Sequence, residues 1–498
     1  MLTPDLDLFR TLGADGAYVP VSREYLADEL TPVAAFRRLA RDERHAFLLE
    51  SVEGGENIGR YSFLGAGPEA VFRASLEKAT IERDGRTETV PGDPFAALEA
   101  QLARYRVAEV AGLPRFSGGA VGYVSYDAVR CIERLPDQPP DMLGVPDFYF
   151  LLSPTVLVFD HVRKTLRIVT HARAGSDPEA AYAAARARIE AVAARLAPPH
   201  DEPLSPSALA SAPAPPVPES NFTREAYEKA VERAKEYISA GDIIQVVPSQ
   251  RFRVPMQADP FDLYRALRVV NPSPYMFYLK LGDTALVGSS PEVMVRVERG
   301  VITVRPIAGT RKRGATSEED AALAAELLAD PKEIAEHVML LDLGRNDVGR
   351  ASEFGSVEVT EKMVIERYSH VMHIVSNVRG TLREGMSAFD ALKSCLPAGT
   401  VSGAPKIRAM EIIDELEPEK RGVYAGAVGY FDFHGNLDTC IAIRTVLVKD
   451  GIAYVQAGGG VVADSVPASE YEETRNKARG MLAAVALAEE VFGGGKKE

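Results

Sequence analysis

Two pairs of glutamates, each three residues apart, are the most chemically suggestive feature of this sequence. Glu333 and Glu336 follow Asp330, which can cap a helix, and Pro331, which suits its first position; Glu333 can then complete a capping box. Residues three apart are neighbours on a helix surface, so the two carboxylates repel unless a cation lies between them. The alternative is a capping glutamate beside a solvated one, and this segment alone does not decide.

The second pair, Glu470 and Glu473, begins a terminal helix. Two helices that each present such a pair could together form an oxygen-only site for Mg²⁺, which keeps waters and binds a substrate carboxylate. Two unrelated solvated helix starts remain the alternative. The apolar residues that should face the core at helical spacing are Ile334, Val338 and Leu341 in the first helix and Met481, Val485, Ala488 and Phe492 in the second.

Several strand ends carry one further side chain that could do chemistry. Gln245 is a neutral amide that can orient water or ammonia but cannot accept a proton from it. Glu292 follows a proline and could be either a catalytic acid or a solvated residue of a turn. Thr310 beside Gly309 could present a hydroxyl and an N–H to an anion, or could belong to a structural turn. His373 lies in a β-type run and could be a pocket imidazole or a structural histidine.

Further candidates lie near the carboxyl end. The loop Pro397–Lys406 has small residues before a helix, and its Thr400 could meet a carboxylate. Tyr424 and Arg444 stand in strand-like runs. Gly458–Gly460 ends a strand with free backbone amides, which suggests close approach of a ligand.

Composition excludes several classes of protein. The 498 residues include 57 Lys and Arg against 71 Asp and Glu, so a net charge of -14 argues against nucleic acid as a partner. Cys131, Cys395 and Cys440 form no Cys-x-x-Cys pair, which fits a reducing compartment. The N-terminus lacks a signal-peptide pattern, and no apolar run is long enough for a membrane span. We therefore expect a cytoplasmic protein with no membrane association.

The chain divides into two patterned regions. Residues 1–197 contain β-type runs and an Ala-rich helical stretch, Asp177–Leu196. Residues 198–220 are rich in Pro and Ala and predict a linker or a surface crossing. Residues 221–498 begin with a helix that Gly241 ends, and they hold most of the candidate site residues.

Taken together, these motifs resemble the chorismate-utilising enzymes. The similar segments occur in the family's order from about residue 221 to 479, and the first region resembles the N-terminal part of the family's anthranilate-forming branch. The segments are Leu48–Ser51, Gly59–Gly65, Pro306–Arg311, Leu341–Asp347, Ala398–Lys406, Gly458–Gly460 and Ser469–Lys477. The resemblance implies an α+β fold: a large two-part body with extensive, mostly antiparallel β-sheets packed in the core and helices outside.

The residues at two positions distinguish the branches of the family. Isochorismate- and salicylate-forming members carry a water-activating lysine where this chain has Gln245, and aminodeoxychorismate-forming members carry a nucleophilic lysine where it has Ala308. The resemblance therefore implies amination of chorismate by ammonia and release of pyruvate to give anthranilate, the first step of tryptophan biosynthesis. Formation of aminodeoxychorismate is the alternative. No cysteine lies in a nucleophile elbow, so a separate glutaminase subunit is implied.

The resemblance also implies roles for individual residues. Glu292 would be a general acid, His373 a base or an orienting group, and Gln245 the amide at the ammonia position. Glu336 and Glu473 would hold Mg²⁺, with Glu333 and Glu470 acting directly or through water. The residues that would bind chorismate are Gly309, Thr310, Thr400, Tyr424, Arg444, Gly458, Gly459, Gly460 and Lys477.

Members of this branch are commonly inhibited by tryptophan, and the resemblance places such a site in this chain as well. Its residues would be Glu50, Ser51, Pro274, Tyr275 and Met276, together with Pro20 and Arg60. A non-catalytic amino-acid sensor on the same fold is a rival hypothesis, but it would have no reason to keep four crowded carboxylates. A Mg²⁺-dependent phosphoryl transferase would need a P-loop or an equivalent, which the sequence lacks.

Overall fold

The protein has an α+β fold built on two large antiparallel sheets, as the sequence predicts. The computed structural model describes residues 2–51, 59–197, 215–368 and 371–492. Each sheet is covered on its outer face by helices, and the two inner faces pack against each other.

The first sheet has 11 strands in the described part of the chain. They run in the spatial order β1-β10-β9-β3-β2-β14-β15-β24-β25-β13-β11, with antiparallel ladders. The strands are β1 (Tyr18–Leu26), β2 (His45–Glu50), β3 (Tyr61–Ala66), β9 (Thr155–Asp160), β10 (Thr165–Arg173), β11 (Glu219–Ser220), β13 (Ser249–Pro255), β14 (Tyr275–Leu281), β15 (Thr284–Ser290), β24 (Thr445–Lys449) and β25 (Ile452–Gly458).

The second sheet has 12 described strands, in the order β18-β20-β17-β16-β23-β22-β7-β8-β4-β5-β6, with β19 also paired to β20. Its ladders are antiparallel as well. The strands are β4 (Ala70–Ala74), β5 (Ala79–Arg83), β6 (Arg86–Val90), β7 (Gly119–Val124), β8 (Phe148–Ser153), β16 (Val293–Glu298), β17 (Val301–Val304), β18 (Ile307–Lys312), β19 (Glu358–Arg367), β20 (Val371–Thr381), β22 (Ala427–Asp432) and β23 (Leu437–Ile441). A separate short ladder pairs β12 (Gln245–Val246) with β21 (Gly403–Ala404).

The described helices lie outside the sheets. They are α1 (Leu6–Leu12), α2 (Pro32–Leu39), α3 (Pro94–Leu102), α4 (Pro178–Arg195), α5 (Arg224–Ala240), α6 (Pro260–Val270), α7 (Ser317–Ala329), α8 (Pro331–Ala351), α9 (Ala388–Cys395), α10 (Lys406–Leu416) and α11 (Pro467–Leu487), with 3₁₀ turns at Tyr126–Cys131 and Gly399–Val401 and a π turn at Ala488–Phe492. No described helix is long and apolar enough to cross a membrane.

The two regions of the sequence share both sheets. In the first sheet β2 pairs with β14, and in the second β7 pairs with β22, so each sheet joins strands from before and after the Pro-rich segment. Most of that segment, residues 198–214, lies outside the described residues, while its end, Glu219–Ser220, is strand β11. The chain therefore builds one layered body from both regions.

The two glutamate pairs stand at helix starts. Asp330 caps α8 by accepting from the N–H groups of Lys332 and Glu333, with Pro331 in the first turn. The core face of α8 differs from the prediction, because Val338 is 47% exposed whereas His337, Leu340 and Leu341 are buried. In α11 the predicted inward residues Met481 and Val485 are buried, and Ala488 just beyond the helix is buried too.

Candidate active site

An open cleft lies between the start of α11 and strands β18 and β20. Its volume is about 930 Å³, and its lining includes Thr310, Arg444, Glu473 and Lys477. Four of the predicted site residues, from three separate segments of the chain, therefore share one cavity. Glu292, Gln245 and Thr400 do not line this open part and lie in the adjoining interior.

The glutamate pairs of α8 and α11 face the same region. A Cβ added to Gly459 would lie 3.2 Å from Oε2 of Glu470 and 3.6 Å from Oε1 of Glu473. Burial raises the pKa of Glu336, and the nearby negative charges of Glu333 and Glu473 add to the rise. Burial likewise raises the pKa of Glu470, with Glu473 contributing. The crowding predicted from spacing is therefore present between the two helices.

Two of these carboxylates are paired with cations of the protein itself. The Lys477 ammonium lies 2.6 Å from Oε1 of Glu473 and donates to the carbonyl of Gly458 at 3.0 Å. The Arg311 guanidinium donates to Oε1 of Glu333 at 2.9 Å. Glu333 is therefore held by an ion pair, and the predicted capping box is wrong.

The donor set suits a hard divalent cation. In the described ranges, no three His, Cys, Asp or Glu side chains already converge on one point. However, Oε2 of Glu470 is buried without a hydrogen-bond partner, and the missing side chain of Gly459 leaves room beside it. Carboxylate oxygens with space for water are the ligands that Mg²⁺ prefers, so these residues fit that ion.

Glu292 is a buried acid. It lies in the tight turn between β15 and β16 and is only 5% exposed, which excludes a solvated turn. Burial raises its pKa to about 8, although the Thr400 hydroxyl donates to Oε1 at 2.7 Å and stabilises the ionised form. Its backbone carbonyl accepts from the N–H of Ile441 at 3.0 Å. At neutral pH the side chain is therefore mostly protonated and can donate a proton.

His373 is positioned by a bulge in the neighbouring strand. The register between β18 and β20 shifts at Gly309, whose φ of 70° favours glycine. Nδ1 of His373 lies 3.0 Å from the Gly309 carbonyl, which can only accept, so Nδ1 carries the proton. Burial lowers the pKa of His373, so the ring is neutral near pH 7 with Nε2 unprotonated.

Arg444 is the main free cation of the cleft. Its backbone has a φ of 51°, in the left-handed region that costs about 1–3 kcal/mol for such a residue. Its guanidinium makes no hydrogen bond or ion pair within the described part of the chain, although burial lowers its pKa. A desolvated arginine without a partner is an anion-binding group. Tyr424 accompanies it, and its hydroxyl lies 3.0 Å from the point a Gly458 Cβ would occupy.

Gln245 lies in β12 and is 5% exposed. A Cβ on Gly460 would approach Nε2 of Gln245 to 2.3 Å, so residue 460 must be glycine for this amide to fit. Oε1 of Gln245 is buried with no hydrogen-bond partner among the described residues. This orphaned acceptor is suited to a small donor such as ammonia.

The predicted effector residues line a separate cavity at the interface of the two sheets. Its wall includes Glu50, Ser51, Pro274, Tyr275 and Met276, as predicted from the resemblance. The Glu50 carboxylate is buried and accepts from the Tyr264 hydroxyl at 2.5 Å, with Nε of Arg268 at 3.1 Å. The sequence analysis missed three further charged residues of this wall: Arg115, Arg296 and Asp438.

Two effector predictions need correction. Pro20 lies in β1, and β10, β9 and β3 separate it from β2, which places it about 19 Å away at ~4.8 Å per strand. Arg60 does not line the cavity either. Its guanidinium pairs with Asp160 at 2.9 Å and stacks on Tyr61.

Sequence reasoning also missed the residues that support the catalytic side chains. Arg311 ends the segment Pro306–Arg311 without a predicted role of its own, and Arg421 ends the charged run Glu417–Arg421, which is typical of a solvated turn. Arg421 is instead 2% exposed. Neither Pro418 within this run nor Gly422 after it gives a signal of burial.

The fold, the buried acid and the anion-binding cleft define one class of protein. The chain belongs to the chorismate-binding enzyme family, whose model matches residues 44–483. It is 56% identical over 489 residues to anthranilate synthase component 1 of Pseudomonas aeruginosa, covering 97% of this chain and 98% of that one. It is 50% identical over 494 residues to the component of the same name from Acetivibrio thermocellus, covering 99% and 100%.

Solved structures agree with the fold. Anthranilate synthase component I from Streptococcus pneumoniae superposes with a TM-score of 0.76 at 39% identity, covering 92% of this chain and 99% of that one. The menaquinone-specific isochorismate synthase of Escherichia coli has a TM-score of 0.67 at 18% identity, covering 96% and 98%. The second likeness supports the fold alone.

Proposed function

We propose that this chain is the synthase component of an anthranilate synthase, which converts chorismate and ammonia to anthranilate, pyruvate and water. The observation that carries the proposal is Gln245: a buried amide with an orphaned acceptor stands where water-activating relatives carry a base. Ammonia is already a nucleophile and needs only to be oriented. The high identity to proteins named anthranilate synthase component 1 supports the same choice.

Chorismate binds in the cleft through its two carboxylates. Arg444 offers an unpaired guanidinium, and Thr310 offers a hydroxyl from the same wall. Charge-assisted bonds of this kind are short and about twice as strong as neutral ones. The Tyr424 hydroxyl supplies a further donor and Thr400 orders the acid beside the ring, whereas the N–H of Gly459 already donates to the carbonyl of Pro248 at 3.2 Å.

In the first step ammonia attacks C2 of the ring while the C4 hydroxyl leaves. The Glu292 proton passes to that oxygen, so the leaving group is water rather than hydroxide. The raised pKa of Glu292, about 8, keeps the proton available at neutral pH. The Gln245 carbonyl oxygen accepts a hydrogen bond from the incoming ammonia and directs its lone pair at the ring.

In the second step the ring becomes aromatic. The C2 proton is removed, the C3–O bond to the enolpyruvyl group breaks, and the enolpyruvate that leaves takes up a proton at its methylene carbon to become pyruvate. His373 is the candidate base, because its Nδ1–H is fixed on the Gly309 carbonyl and Nε2 is left as an acceptor. General acid or base catalysis of this kind is typically worth ~10²–10⁴-fold in rate.

The reaction uses Mg²⁺, held by Glu336 and Glu473 with Glu333 and Glu470 acting directly or through water. The bound ion supplies positive charge that orients and polarises the ring carboxylate of chorismate. The unpartnered Oε2 of Glu470 and the crowded charge around Glu336 support this assignment. Lys477 provides the second positive charge beside these carboxylates.

The ammonia comes from a separate glutaminase subunit. Such an activity needs a thiolate nucleophile, and none of the three cysteines is suited to the role. Burial raises the pKa of Cys131 to about 11 and that of Cys395 to about 12, and it raises the pKa of Cys440 further.

Tryptophan inhibits the enzyme by binding in the second cavity, which must widen from its free volume of about 50 Å³ to admit the indole. Its ammonium group meets the Glu50 carboxylate, and its indole packs against Pro274 and Met276. Arg115 and Arg296 of the same wall share the single carboxylate of Asp438, so their positive charge is available to the tryptophan carboxylate.

The direct test incubates the purified chain with chorismate, MgCl₂ and an ammonium salt. We expect a fluorescent ortho-aminobenzoate and an equal amount of pyruvate, with no product when EDTA is present. Aminodeoxychorismate without pyruvate would reassign the chain to the other amination branch. Absence of any chorismate turnover would contradict the enzyme and favour a sensor.

A further inference from the structure

A fully buried ion pair lies behind the catalytic residues. The side chains of Arg421 and Glu417 are 1% and 3% exposed, and they make three contacts, Nη2 to Oε1 at 2.6 Å, Nε to Oε2 at 3.0 Å and Nε to Oε1 at 3.2 Å. Burying both charges costs free energy that their attraction alone often fails to recover. What distinguishes the pair is where its remaining donors and acceptors point.

The other guanidinium donors hold two active-site segments. Nη2 donates to the carbonyl of Val247 at 2.6 Å, two residues after Gln245. Nη1 donates to the carbonyl of Val401 at 2.6 Å, the residue after Thr400. One planar group thus fixes the spacing between the ammonia-binding strand and the loop that contacts Glu292.

The pair reaches two further elements of the site. The Arg421 guanidinium stacks on the ring of Tyr424, with 5.5 Å between Cζ and the ring centroid. Oε1 of Glu417 accepts from both the N–H and the hydroxyl of Ser249 at 2.8 Å each, and Ser249 pairs with Gly458 across the ladder of β13 and β25. The glycine segment is therefore tied to the same group.

We propose that Arg421, held by Glu417, is a positioning residue that sets the mutual spacing of Gln245, Thr400, Tyr424 and Gly458. This role rests on the proposed amination. The four residues need a fixed spacing because the bound ammonia, the acid Glu292 and the groups that bind the carboxylates all act on the same chorismate ring. Arg421 touches no substrate. It acts through the backbone of its neighbours.

Only an arginine fits this position. Its five donors lie in one plane with a fixed fork, so it can serve a carboxylate and two carbonyls in three directions at once. A lysine in its place keeps the charge and can keep the bond to Glu417, but its single nitrogen cannot span Val247 and Val401. Arg421→Lys therefore removes the spacing function while leaving the buried charge compensated.

The chain offers a matched control in Arg130. Its side chain is 10% exposed, pairs with the 5% exposed Asp414 at 2.6 Å and donates to the carbonyl of Asp137 at 2.7 Å, yet none of these partners belongs to the site. Arg130→Lys thus weakens a comparable buried clamp. The difference between the two variants isolates positioning from loss of stability.

The experiment measures steady-state kinetics and thermal unfolding of the wild type, Arg421→Lys and Arg130→Lys with chorismate and ammonium. We expect both variants to lose similar thermal stability. Only Arg421→Lys should lose kcat, by about 10²-fold as for a displacement near 1 Å, and raise the KM for ammonium. Its kcat should also fall off at higher pH than in the wild type, because a displaced Thr400 no longer stabilises ionised Glu292.

Equal losses of kcat in the two variants, or an unchanged KM for ammonium in Arg421→Lys, would overturn the positioning role while leaving the proposed function intact. If the wild type binds chorismate but does not convert it, the proposed function is contradicted and the positioning role is not. The wild type, Arg421→Lys and Arg130→Lys are then compared by their affinity for chorismate, measured by calorimetry. If the wild type neither binds nor converts chorismate, both proposals fail.

Discussion

The catalytic cleft and the effector cavity differ in how their polar groups are satisfied. In the cleft, Arg444 has no partner among the described residues, and Gln245 and Glu470 each hold a buried oxygen without a hydrogen bond. In the effector cavity the charges are paired, Glu50 with Arg268 and Asp438 with Arg115 and Arg296, although the Nε atoms of these three arginines are buried without a hydrogen bond. Unpaired buried polar groups cost free energy of folding. The cleft keeps such groups available to bind substrate, whereas a ligand of the effector cavity must replace existing ion pairs.

The two sites are connected through adjacent strands. Tyr275 of the effector cavity pairs directly with Ser290 in the ladder of β14 and β15, and Ser290 lies two residues before Glu292. Asp438 contacts the Tyr275 hydroxyl at 2.8 Å and Nε of Arg296 at 3.2 Å. An exchange of bonds in this cavity would therefore occur one strand from Glu292, which would give the proposed inhibition by tryptophan a short route.

The largest effect should come from the acid of the cleft. Glu292→Gln keeps the size and the acceptor for Thr400 but cannot release a proton, so kcat should fall by about 10²–10⁴. Stopped assays of anthranilate between pH 6 and 10 measure this. The wild-type kcat should decline as pH rises through about 8, where Glu292 loses its proton, and the variant should lack that limb.

The same variant separates chemistry from folding. Because the folded pKa of Glu292 is raised, its protonated form favours the fold at low pH, and that contribution is lost as pH rises towards 8. Thermal unfolding should show the wild type losing stability relative to Glu292→Gln between pH 5 and about 8. A parallel pH dependence in both chains would contradict burial of an ionisable acid at this position.

The next effect should come from the unpaired arginine. Arg444→Gln removes a guanidinium that makes no hydrogen bond or ion pair within the described part of the chain and that only the longer-range charge of Glu473 stabilises, so the fold should tolerate it while kcat/KM for chorismate falls about 10- to 100-fold, as for a lost charged hydrogen bond. Arg268→Gln is the contrasting change, because it takes the guanidinium from the buried Glu50 carboxylate. It should lower the melting temperature more than Arg444→Gln does. A larger loss of melting temperature in Arg444→Gln than in Arg268→Gln would contradict the claim that charges are paired in the effector cavity and unpaired in the cleft.

A smaller effect is expected at the glutamate pairs. Glu336→Gln removes a ligand and should weaken Mg²⁺ binding about tenfold, within the range known for altered metal sites. Isothermal calorimetry with MgCl₂ measures this without substrate. Lys477→Met should act in the opposite direction, because it frees Glu473 from its ion pair. Unchanged Mg²⁺ affinity in Glu336→Gln would contradict the assignment of this residue.

The smallest effect on turnover should come from the effector cavity. Glu50→Gln removes the charge that meets the tryptophan ammonium, so the inhibition constant for tryptophan should rise about tenfold. Because the chain contains no Trp, the emission of added tryptophan reports binding directly. Ser51→Phe, which fills the same wall, should also weaken binding; equal affinity in both variants and the wild type would place the effector elsewhere.

Sequence reasoning succeeded where a local pattern decides the structure. The cap at Asp330, the helix ended by Gly241 and the inward face of α11 follow from neighbouring residues, and the structure confirms them. The motifs also singled out Glu292 and His373, and the resemblance named five residues that line one cavity, while the functions of these residues stay predictions. Sequence reasoning failed where distant segments of the chain meet. Strand order decides the burial of Arg421, the ion pair of Arg311 with Glu333 and the distance of Pro20 from the effector cavity, and no local pattern encodes strand order.

Val338 illustrates a second kind of failure. It shares the helical spacing of Ile334 and Leu341 but is 47% exposed, because the buried stripe of α8 runs instead through His337, Leu340 and Leu341. His337 donates or accepts at 2.7 Å with Ser376, so a polar residue takes a core position by finding a partner. Hydrophobic periodicity alone cannot predict that His337 lies in the core in place of Val338.

The most direct test of the account is the origin of the atom that enters the ring. The purified chain is supplied with chorismate and Mg²⁺ in ¹⁵N-ammonium buffer made with ¹⁸O-water, and the products are analysed by mass spectrometry. The amide at Gln245 predicts anthranilate labelled with ¹⁵N, one pyruvate for each ring and no ¹⁸O in any ring product. Isochorismate labelled with ¹⁸O would show that water is the nucleophile and would contradict the account.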